Sequence, residues 1–543
     1  MKIHNNKAKR FALMLLVVFT ACKKLDLEPT NGSTEENFWQ SENQVLSVLN
    51  SAYSQMYDSN SFFFSEAMSD NAYNGRGDNE GAASIAAGTY DPSLARFKDE
   101  WSRRYTAIKT CNRLLDNIGK ATTVAATTRD RVIGEARFIR AYQYMQLYTW
   151  FGDVPLFTKD ITEQESRTVS RTPRAQVVSF VLTELDAAAA ALPVNTAYND
   201  PDRGRVTKGA AIALKARALL YEGRWQDVVT TCEQLMGGTN GTYNLFSSYE
   251  GVFLPQNEYN SEVIFDLQYV PTDRMYSLFF DLAPLSVGAR LNVMAPTQEL
   301  VDSYPMLNGK GIKDSGSGYD ENNPYINRDP RLTATVVYHL YPWRKPDNTV
   351  QTIYIKPGTA PDDRTRVDEY APGSVSSPTG YYIRKYYDPT SAANFQSGLN
   401  LILIRYADVL LMYAEAKNEL NAMTGDVWNQ TIRALRVRAG FTDPAALNFS
   451  TSDQASLRNV IRNERRVEFA MEGLRIYDIR RWRIAETVLN GWAHGAKYGP
   501  ANIDNGYIRA NLRTFNPSRN YLWPIPRDER SLNPNLSQNP GWN

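Results

Sequence analysis

Residues 206–236, VTKGAAIALKARALLYEGRWQDVVTTCEQLM, are the stretch from which the fold of this chain can be inferred. Residues 206–223 are rich in Ala and Leu, and Thr207 is of the residue type that caps helix N-termini. Gly223 interrupts this helix, and residues 224–236 predict a second helix that opens with Trp225. Small residues on one helix and a bulky residue on the next are typical of a repeated helix pair. Such pairs stack, because one pair alone cannot bury its apolar face.

Two further stretches predict helix pairs of the same tetratricopeptide-like kind. Residues 401–420 and 425–439 form one predicted pair, and residues 453–472 and 474–487 form another that is broken at Gly473. The sequence therefore predicts a mostly α-helical protein.

A longer helix is predicted over residues 130–151. This stretch covers most of the run RVIGEARFIRAYQYMQLYTWFG, which ends at Gly152. Thr127 and Thr128 are expected to cap its start, and Gly152 is expected to end it. Apolar and aromatic residues fall on nearly all its sides, so it should be sandwiched between other helices.

Residues 238–400 differ from the helical stretches, because they contain many Gly, Pro, Asn, Asp and Tyr residues. Short alternating runs at 262–270, 333–340 and 352–357 predict small strands. A long irregular insertion of this kind is a common place for functional residues. We expect residues 35–543 to form a single domain in which this insertion carries the ligand.

The N-terminus has the features of a secretory signal over residues 1–21. A basic segment precedes nine consecutive apolar residues, 11–19, and small residues follow at Thr20 and Ala21. The apolar run is too short to span a bilayer, which needs about 20 residues. Residues 22–34 are predicted to be an extended tether.

Cys22 follows Thr-Ala in a pattern that resembles the lipobox of bacterial lipoproteins, in which the cysteine becomes the lipidated N-terminus. Phe19 departs from that pattern, since leucine is usual there. The alternative is an ordinary secretory signal that happens to contain a cysteine. Acyl chains on Cys22 would anchor the exported protein to a membrane.

Charge and cysteine content exclude several classes of protein. Removal of residues 1–21 takes away four basic side chains and no acidic one, which changes the formal net charge from +1 to −3. A nucleic-acid-binding protein would be expected to carry a basic face. Cys111 and Cys232 remain and could form at most one disulfide, and the sequence does not decide whether they pair. With three His and these two Cys, a Cys/His zinc site is not expected.

No catalytic motif is found in the sequence. HExxH, GxSxG and the GxxxxGK[ST] phosphate loop are all absent, and the glycines at 75, 77 and 81 are spaced too widely for a dinucleotide fingerprint. Residues 314–323, DSGSGYDENN, offer oxygen ligands for calcium but lack the EF-hand spacing, and we interpret them as a polar loop. We expect no enzyme activity, no cofactor and no metal.

Seven segments, taken in order, resemble the SusD/RagB family of surface nutrient-binding lipoproteins. They are CKKLDLEPT with residues 36–57, then 101–118, GEARFIRAYQYMQLYTWFGDVPL (134–156), 296–304 with 327–332, IRYADVLLMYAEAKNEL (404–420), IRNERRVEFAMEGLRIYDIRRW (461–482) and YLWPIPRDERSLNPNLSQNPGW (521–542). The resemblance spans essentially the whole mature chain. The charged run 462–468 within it is interpreted as an internal ion-pair network, and Arg405 and Glu415 as residues with a similar role.

The resemblance implies a SusD-like fold of four tetratricopeptide-like helix pairs and an irregular, ligand-bearing region with short strands. It also implies a position on the outer face of the outer membrane, where the protein covers a SusC-like TonB-dependent transporter barrel as a lid. The implied function is non-catalytic capture of a glycan or oligosaccharide. Peptide capture by the same fold, or a structural lid without its own affinity, are the alternatives.

In the family, ligand residues come mainly from the loop between the first two helices and from the region after the third helix pair. The corresponding stretches are residues 68–80 and 269–292. Aromatic rings can lie against sugar faces while polar groups bind hydroxyls. The predicted ligand-binding residues are Asp70, Tyr73, Asn74, Arg76, Tyr276, Arg290 and Asn292, with Tyr341, Trp343 and Arg344 in reserve.

Overall fold

The computed structural model describes residues 38–391, 395–450 and 453–542. The predicted signal peptide 1–21, the predicted lipidation site Cys22 and the predicted tether 22–34 lie outside the described residues.

Helices dominate the described part of the chain. The α-helices are α1 Glu42–Ser54, α2 Ser59–Ala67, α3 Ala82–Ala87, α4 Ala95–Asn117, α5 Ala126–Phe151, α6 Glu163–Ser166, α7 Arg174–Ala191, α8 Lys208–Tyr221, α9 Trp225–Met236, α10 Gln298–Ser303, α11 Pro330–Thr335, α12 Asp363–Arg366, α13 Tyr406–Glu419, α14 Gly425–Trp428, α15 Ala434–Ala439, α16 Pro444–Leu447, α17 Gln454–Glu468, α18 Arg475–Arg481, α19 Ala485–Val488 and α20 Arg527–Leu532. A π-helical turn, Asn429–Arg433, joins α14 to α15. Short 3-10 helices lie at Phe38–Gln40, Asn79–Gly81, Ile118–Lys120, Asn195–Ala197, Glu250–Phe253, Pro255–Asn257, Leu278–Leu282, Leu285–Val287, Pro389–Ser391 and Asp504–Gly506.

The strands are short and pair two by two. They are β1 Ala72–Asn74, β2 Val263–Leu267, β3 Met294–Pro296, β4 Val336–Val337, β5 Tyr341–Arg344, β6 Val350–Ile353, β7 Tyr382–Ile383, β8 Leu401–Arg405, β9 Gly491–His494 and β10 Arg509–Arg513. Across the described residues they form antiparallel pairs β1–β3, β2–β8, β4–β7, β5–β6 and β9–β10.

The longest helices pack in a chain in which each contacts the next. The order is α1, α4, α5, α7, α8, α9, α13 and α17. This arrangement confirms the prediction of a mostly α-helical protein built from stacked helices. Within the described residues, no helix is long and apolar enough to cross a membrane.

Helix α5 lies between α4 and α7 and is buried on nearly every side, as predicted. Gly152 ends it with φ +72°, which also agrees with the prediction. The predicted cap is wrong, because the helix begins at Ala126 and its N-cap, Ala125, makes no side-chain hydrogen bond.

The helix pair that opened the sequence analysis is α8 and α9. The Thr207 hydroxyl accepts a hydrogen bond from the amide of Ala210 at 3.1 Å, which confirms the predicted cap. Gly223 separates the two helices with φ +66°, a backbone conformation that glycine adopts without steric cost.

Three secondary-structure predictions are wrong in part. Only residues 352–353 of the strand predicted over residues 352–357 lie in a strand, β6. Residues 401–405 form strand β8, not the start of a helix, and pair with β2. A short buried apolar run cannot be assigned to helix or strand by periodicity alone. Residues 333–335 belong to helix α11, not a strand, because Asp329 caps this helix and Pro330 occupies its first turn.

The charged run 462–468 lies in α17 and forms the predicted internal ion-pair network. Glu468 accepts from Arg405 at 2.6 Å and from Arg331 at 2.8 Å, and both arginines are buried. Arg405 also bonds Glu262 at 2.7 Å, and Arg481 bonds Glu415 at 2.6 Å. The contacts of Glu468 join α17 to strand β8 and to the 327–332 segment, and the Arg481–Glu415 pair joins α18 to α13.

The two remaining cysteines do not pair with each other. Cys111 in α4 and Cys232 in α9 are free and buried. Burial raises the pKa of the Cys111 thiol to about 12, so this thiol stays protonated.

Candidate functional site

The two stretches predicted to supply the ligand site meet in the structure. Strand β1 pairs antiparallel with β3, and this places Asn74 opposite Met294. Loop 374–380 contacts both stretches, because the Arg76 guanidinium donates to the carbonyl of Ser374 and the backbone amide of Asn292 donates to the carbonyl of Val375 at 2.9 Å.

Asp70 is buried away from this surface, and its predicted contact with a sugar hydroxyl stays a prediction. Its side chain is 4% exposed. Arg475 and Arg466 lie 2.8 Å and 3.0 Å from its carboxylate oxygens. These guanidinium groups hold the pKa of the carboxyl well below its usual range. Asp70 therefore ties the 68–80 loop to helices α17 and α18.

Three more of the predicted residues are interior and have structural roles. The Asn74 side chain donates to the carbonyl of Val293 at 3.0 Å, and the Asn292 side chain donates to that of Leu282 at 3.3 Å. Tyr276 is buried against the rings of Phe63 and Tyr269. A polar group or ring enclosed in this way has no face left for a ligand.

Tyr73, Arg76 and Arg290 are the predicted residues that reach the surface. The ring of Tyr73 is half-buried, and the Arg76 guanidinium donates to the carbonyl of Ser374. The Nε of Arg76 has no hydrogen-bond partner among the described residues. Arg290 is exposed and bonds Asp281 at 2.6 Å. Their role in ligand binding stays a prediction.

The reserve residues divide in the same way. Tyr341 and Trp343 are buried, with Trp343 packed edge-on against Tyr387. Arg344 is exposed at the end of β5.

A group of half-buried tyrosines forms a surface that the sequence analysis missed. We call it the tyrosine patch, and it consists of Tyr319, Tyr325, Tyr338, Tyr354, Tyr498 and Tyr507. The first four come from the 238–400 insertion, and the last two come from the connection between β9 and β10.

Ring contacts join four of the six tyrosines, either directly or through His339. Tyr325 and Tyr338 stack with centroids 4.0 Å apart and planes 16° from parallel. His339 lies 6.5 Å from the ring of Tyr498, which connects the insertion to the C-terminal hairpin. Ile326 and Leu340, the sequence neighbours of Tyr325 and His339, are 61% and 55% exposed.

Polar groups surround the patch. The Arg328 guanidinium lies 5.6 Å from the ring centroid of Tyr319. Tyr325 donates to the hydroxyl of Tyr381, which donates to Gln298 at 2.7 Å. Burial raises the pKa of Tyr325 to about 12, so its hydroxyl stays protonated at neutral pH.

Loop 374–380 connects the tyrosine patch to the predicted site residues. A Cβ at Gly75, beside Tyr73, would collide with Pro378, so these two loops are in direct contact. A Cβ at Gly380 would lie 3.1 Å from the ring of Tyr498. Loop 374–380 therefore contacts both the segment that carries Tyr73 and the tyrosine patch.

The loop at 314–323 is not organised around a cation. Asp314 accepts from the amide of Gly311 at 2.8 Å, and Asp320 accepts from the amide of Asn322 at 2.9 Å. Glu321 pairs with Lys497. Across the described part of the chain, no group of three or more His, Cys, Asp or Glu side chains is placed to hold a metal ion.

Flat rings beside hydrogen-bonding groups can bind molecules that have both apolar faces and hydroxyl edges. Large aromatic side chains supply contact area at low entropic cost, and their polar ends remain available for hydrogen bonds. Sugar rings have this combination of surfaces.

Comparisons with known proteins agree with this architecture. Residues 261–542 match the model described as the SusD family, and residues 23–220 match a model described as starch-binding associating with outer membrane. The chain belongs to the SusD family. The second match supports association of this SusD-family protein with the outer membrane.

Relatives of similar length share the family assignment. This SusD-family protein is 26% identical to SusD-like protein P25 of Formosa agariphila, with 98% of each chain covered. It is 30% identical to a solved SusD-like carbohydrate binding protein from Bacteroides fragilis, with a TM-score of 0.83 and coverage of 92% of this chain and 100% of that one. A laminarin binding SusD-like protein shares the fold at 22% identity, with a TM-score of 0.68 and coverage of 92% and 100%.

Proposed function

We propose that this protein captures a glycan or oligosaccharide nutrient at the cell surface and delivers it, without catalysis, to a partner TonB-dependent outer-membrane transporter. The tyrosine patch is the observation that carries the proposal. Its half-buried rings can meet the faces of sugar rings, and Tyr73, Arg76 and Arg290 are further residues that reach the surface. The similarity to a carbohydrate binding protein from Bacteroides fragilis supports this class of ligand.

A non-catalytic role is consistent with the carboxylates near the patch. Glu299 contacts His494 at 2.7 Å, and Asp504 bonds Arg509 at 2.5 Å. A general acid and base would need a pair of carboxyl groups that face a common substrate position.

Peptide capture and a lid without its own affinity remain the alternative functions. Peptide cargo would be favoured by an enclosed cavity that the transporter closes, whereas flat exposed rings favour sugars. A purely structural lid would need no exposed rings at its surface. The patch tyrosines are half-buried and keep part of each ring at the surface, which favours sugar capture over both alternatives.

The anchoring part of the proposal depends on Cys22. We expect its lipidation to hold the protein on the outer membrane with the tyrosine patch facing the exterior. Replacement of Cys22 by Ser should release the protein from washed membranes, and protease treatment of intact cells should degrade the anchored wild-type form. Protection of the wild-type protein in intact cells would contradict the exterior orientation.

The experiment that tests ligand capture is affinity gel electrophoresis of the chain beginning after Cys22 against a panel of neutral and acidic polysaccharides. Retardation by one polysaccharide would identify the cargo class. No retardation by any of them, together with binding to a peptide library, would replace the sugar proposal with peptide capture.

A further inference from the structure

A second concave site lies on a different part of the molecule, where the end of α8, helix α18 and the 517–522 segment meet. Its volume is about 450 Å³, within the usual range of small-ligand pockets. Five arginines line it, Arg174, Arg480, Arg481, Arg483 and Arg519, and the lining contains no Asp or Glu.

Two of these arginines are already neutralised. Arg174 forms a two-point contact with Glu222 at 2.5 Å and 2.7 Å. Arg481 forms a similar contact with Glu415, with both distances 2.6 Å. They contribute shape and hydrogen-bonding geometry to the pocket more than net charge.

The other three have no carboxylate partner among the described residues. Arg480 is buried and donates to backbone carbonyls, at 2.9 Å to that of Asn520. Arg483 lies over the ring of Tyr521, and Arg519 lies over the ring of Trp542. The Nε of Arg519 is buried and has no hydrogen-bond partner in the described part of the chain.

The electrostatics of the pocket are those of a cluster of positive charge. Burial lowers the pKa of Arg480 to about 10, and the positive charge of Arg483 acts in the same direction. Arg480 therefore stays charged at neutral pH without a counter-charge beside it. The carboxylate of Glu486 lies nearby and accepts from the hydroxyl of Tyr521, and it offsets at most one of the three unpaired charges.

We propose that this arginine pocket is a second ligand site that holds an oxyanion, either a free inorganic anion or the sulfate or carboxylate group of an acidic saccharide. Guanidinium groups present N–H donors in a planar fork that matches two oxygens of such a group. An anion seated among Arg480, Arg483 and Arg519 would supply the missing counter-charge. The elements that form this pocket differ from those that carry the tyrosine patch.

The test uses the chain beginning after Cys22 and compares sodium sulfate with sodium chloride at equal ionic strength. Sulfate is expected to bind in calorimetry and to raise the melting temperature of the wild type more than that of the Arg483→Gln and Arg519→Gln variants, because the general stabilising effect of sulfate is common to all of them. Arg483→Gln and Arg519→Gln are each expected to weaken sulfate binding by about tenfold or more. The control is Arg224→Gln, because Arg224 is an exposed arginine paired with Asp227 and should leave sulfate binding unchanged.

A second arm compares a sulfated oligosaccharide with its desulfated form. Tighter binding of the sulfated form than of free sulfate, lost in Arg483→Gln, assigns the site to an acidic saccharide. Equal affinity for the sulfated oligosaccharide and for free sulfate assigns the site to the free anion. No effect of sulfate beyond that of chloride, or unchanged binding in both glutamine variants, would overturn the proposal. A Tyr325→Ala, Tyr498→Ala double variant should keep sulfate binding, which separates this test from the test of glycan capture.

Discussion

Asp266 on β2 shows how burial sets the behaviour of a single carboxyl group. Its side chain is 4% exposed, and the amide of Asn400 donates to it at 3.0 Å. Burial, together with the charge of Glu258, raises its pKa from 3.8 to about 7. In the unfolded chain the group would ionise near its ordinary pKa, so protonated Asp266 stabilises the fold at acid pH and this contribution is lost as the pH rises to about 7.

Asp266→Asn should remove this pH dependence while keeping an acceptor for Asn400. We expect the wild type to lose roughly 2–4 kcal/mol relative to the variant between about pH 4 and about pH 8. Urea unfolding of both proteins at the two pH values measures the difference. The same pH dependence in both proteins would show that Asp266 does not ionise in this range.

Arg405 gives a second prediction for a single residue. It is buried and contacts Glu262, Glu468 and Glu472, so its removal takes one positive charge away from three buried carboxylates and unbalances the network. Arg405→Met should lower the free energy of unfolding by about 3–5 kcal/mol. Arg224→Met, at an exposed ion pair, should change it by less than about 1 kcal/mol. Equal effects in chemical denaturation would contradict the structural role of the network.

The sequence predicted part of this network, and it also predicted ligand roles for several residues that the structure buries. The run RNERRVE was interpreted correctly because so many charges on an amphipathic helix must find partners when its apolar face is buried. Asp70 and Asn74 are polar residues in a loop, and sequence alone does not distinguish a polar side chain that faces solvent from one that bonds distant backbone. The patch tyrosines were missed because they lie far apart in sequence, although four of them fall within residues 319–354.

At the scale of elements, loop 374–380 is predicted to position the tyrosine patch. Gly380 has φ +75°, and a Cβ there would lie 3.1 Å from Ala496 and from the ring of Tyr498. Gly373 in the same region has φ +76° but no atom within 4 Å of the corresponding Cβ position. An alanine at either position strains the backbone, but only an alanine at Gly380 would also crowd Tyr498. Comparison of the two variants therefore distinguishes the two effects.

Gly380→Ala and Gly373→Ala should each destabilise the protein by about 1–2 kcal/mol, because both place a side chain on a left-handed backbone. Gly380→Ala alone should also weaken glycan binding, since the shifted loop displaces Tyr498. Calorimetry with the retained glycan measures the affinities. A loss of affinity in both variants, or in neither, would contradict a positioning role for the loop.

The helices were predictable from sequence and the small strands were predictable less well. Thr207, Gly223 and Gly152 mark helix ends by local chemistry, so the limits of α8 and the end of α5 follow from nearby residues. Strand β8 depends on pairing with β2, which is more than 100 residues away in the chain. The pairing of β1 with β3, which brings the two ligand loops together, is equally non-local.

For the whole molecule, the stacked helices form a scaffold that leaves one irregular surface exposed. The long helices pack in chain order, and the 238–400 insertion and the β9–β10 hairpin together supply the tyrosine patch. Family resemblance predicted this division between scaffold and insertion. It did not predict the contribution of the C-terminal hairpin, because the loops vary and no motif marks their register.

The measurement that tests the central claim most directly is the affinity of the wild type and of a Tyr325→Ala, Tyr498→Ala double variant for the polysaccharide retained in the screen. Tyr259→Ala is the control, because Tyr259 is a 39% exposed ring outside the patch. Circular dichroism checks that all three proteins are folded. We predict that the double variant loses affinity by about tenfold or more and that Tyr259→Ala binds as the wild type does. A folded double variant that binds with wild-type affinity would show that the glycan is captured elsewhere.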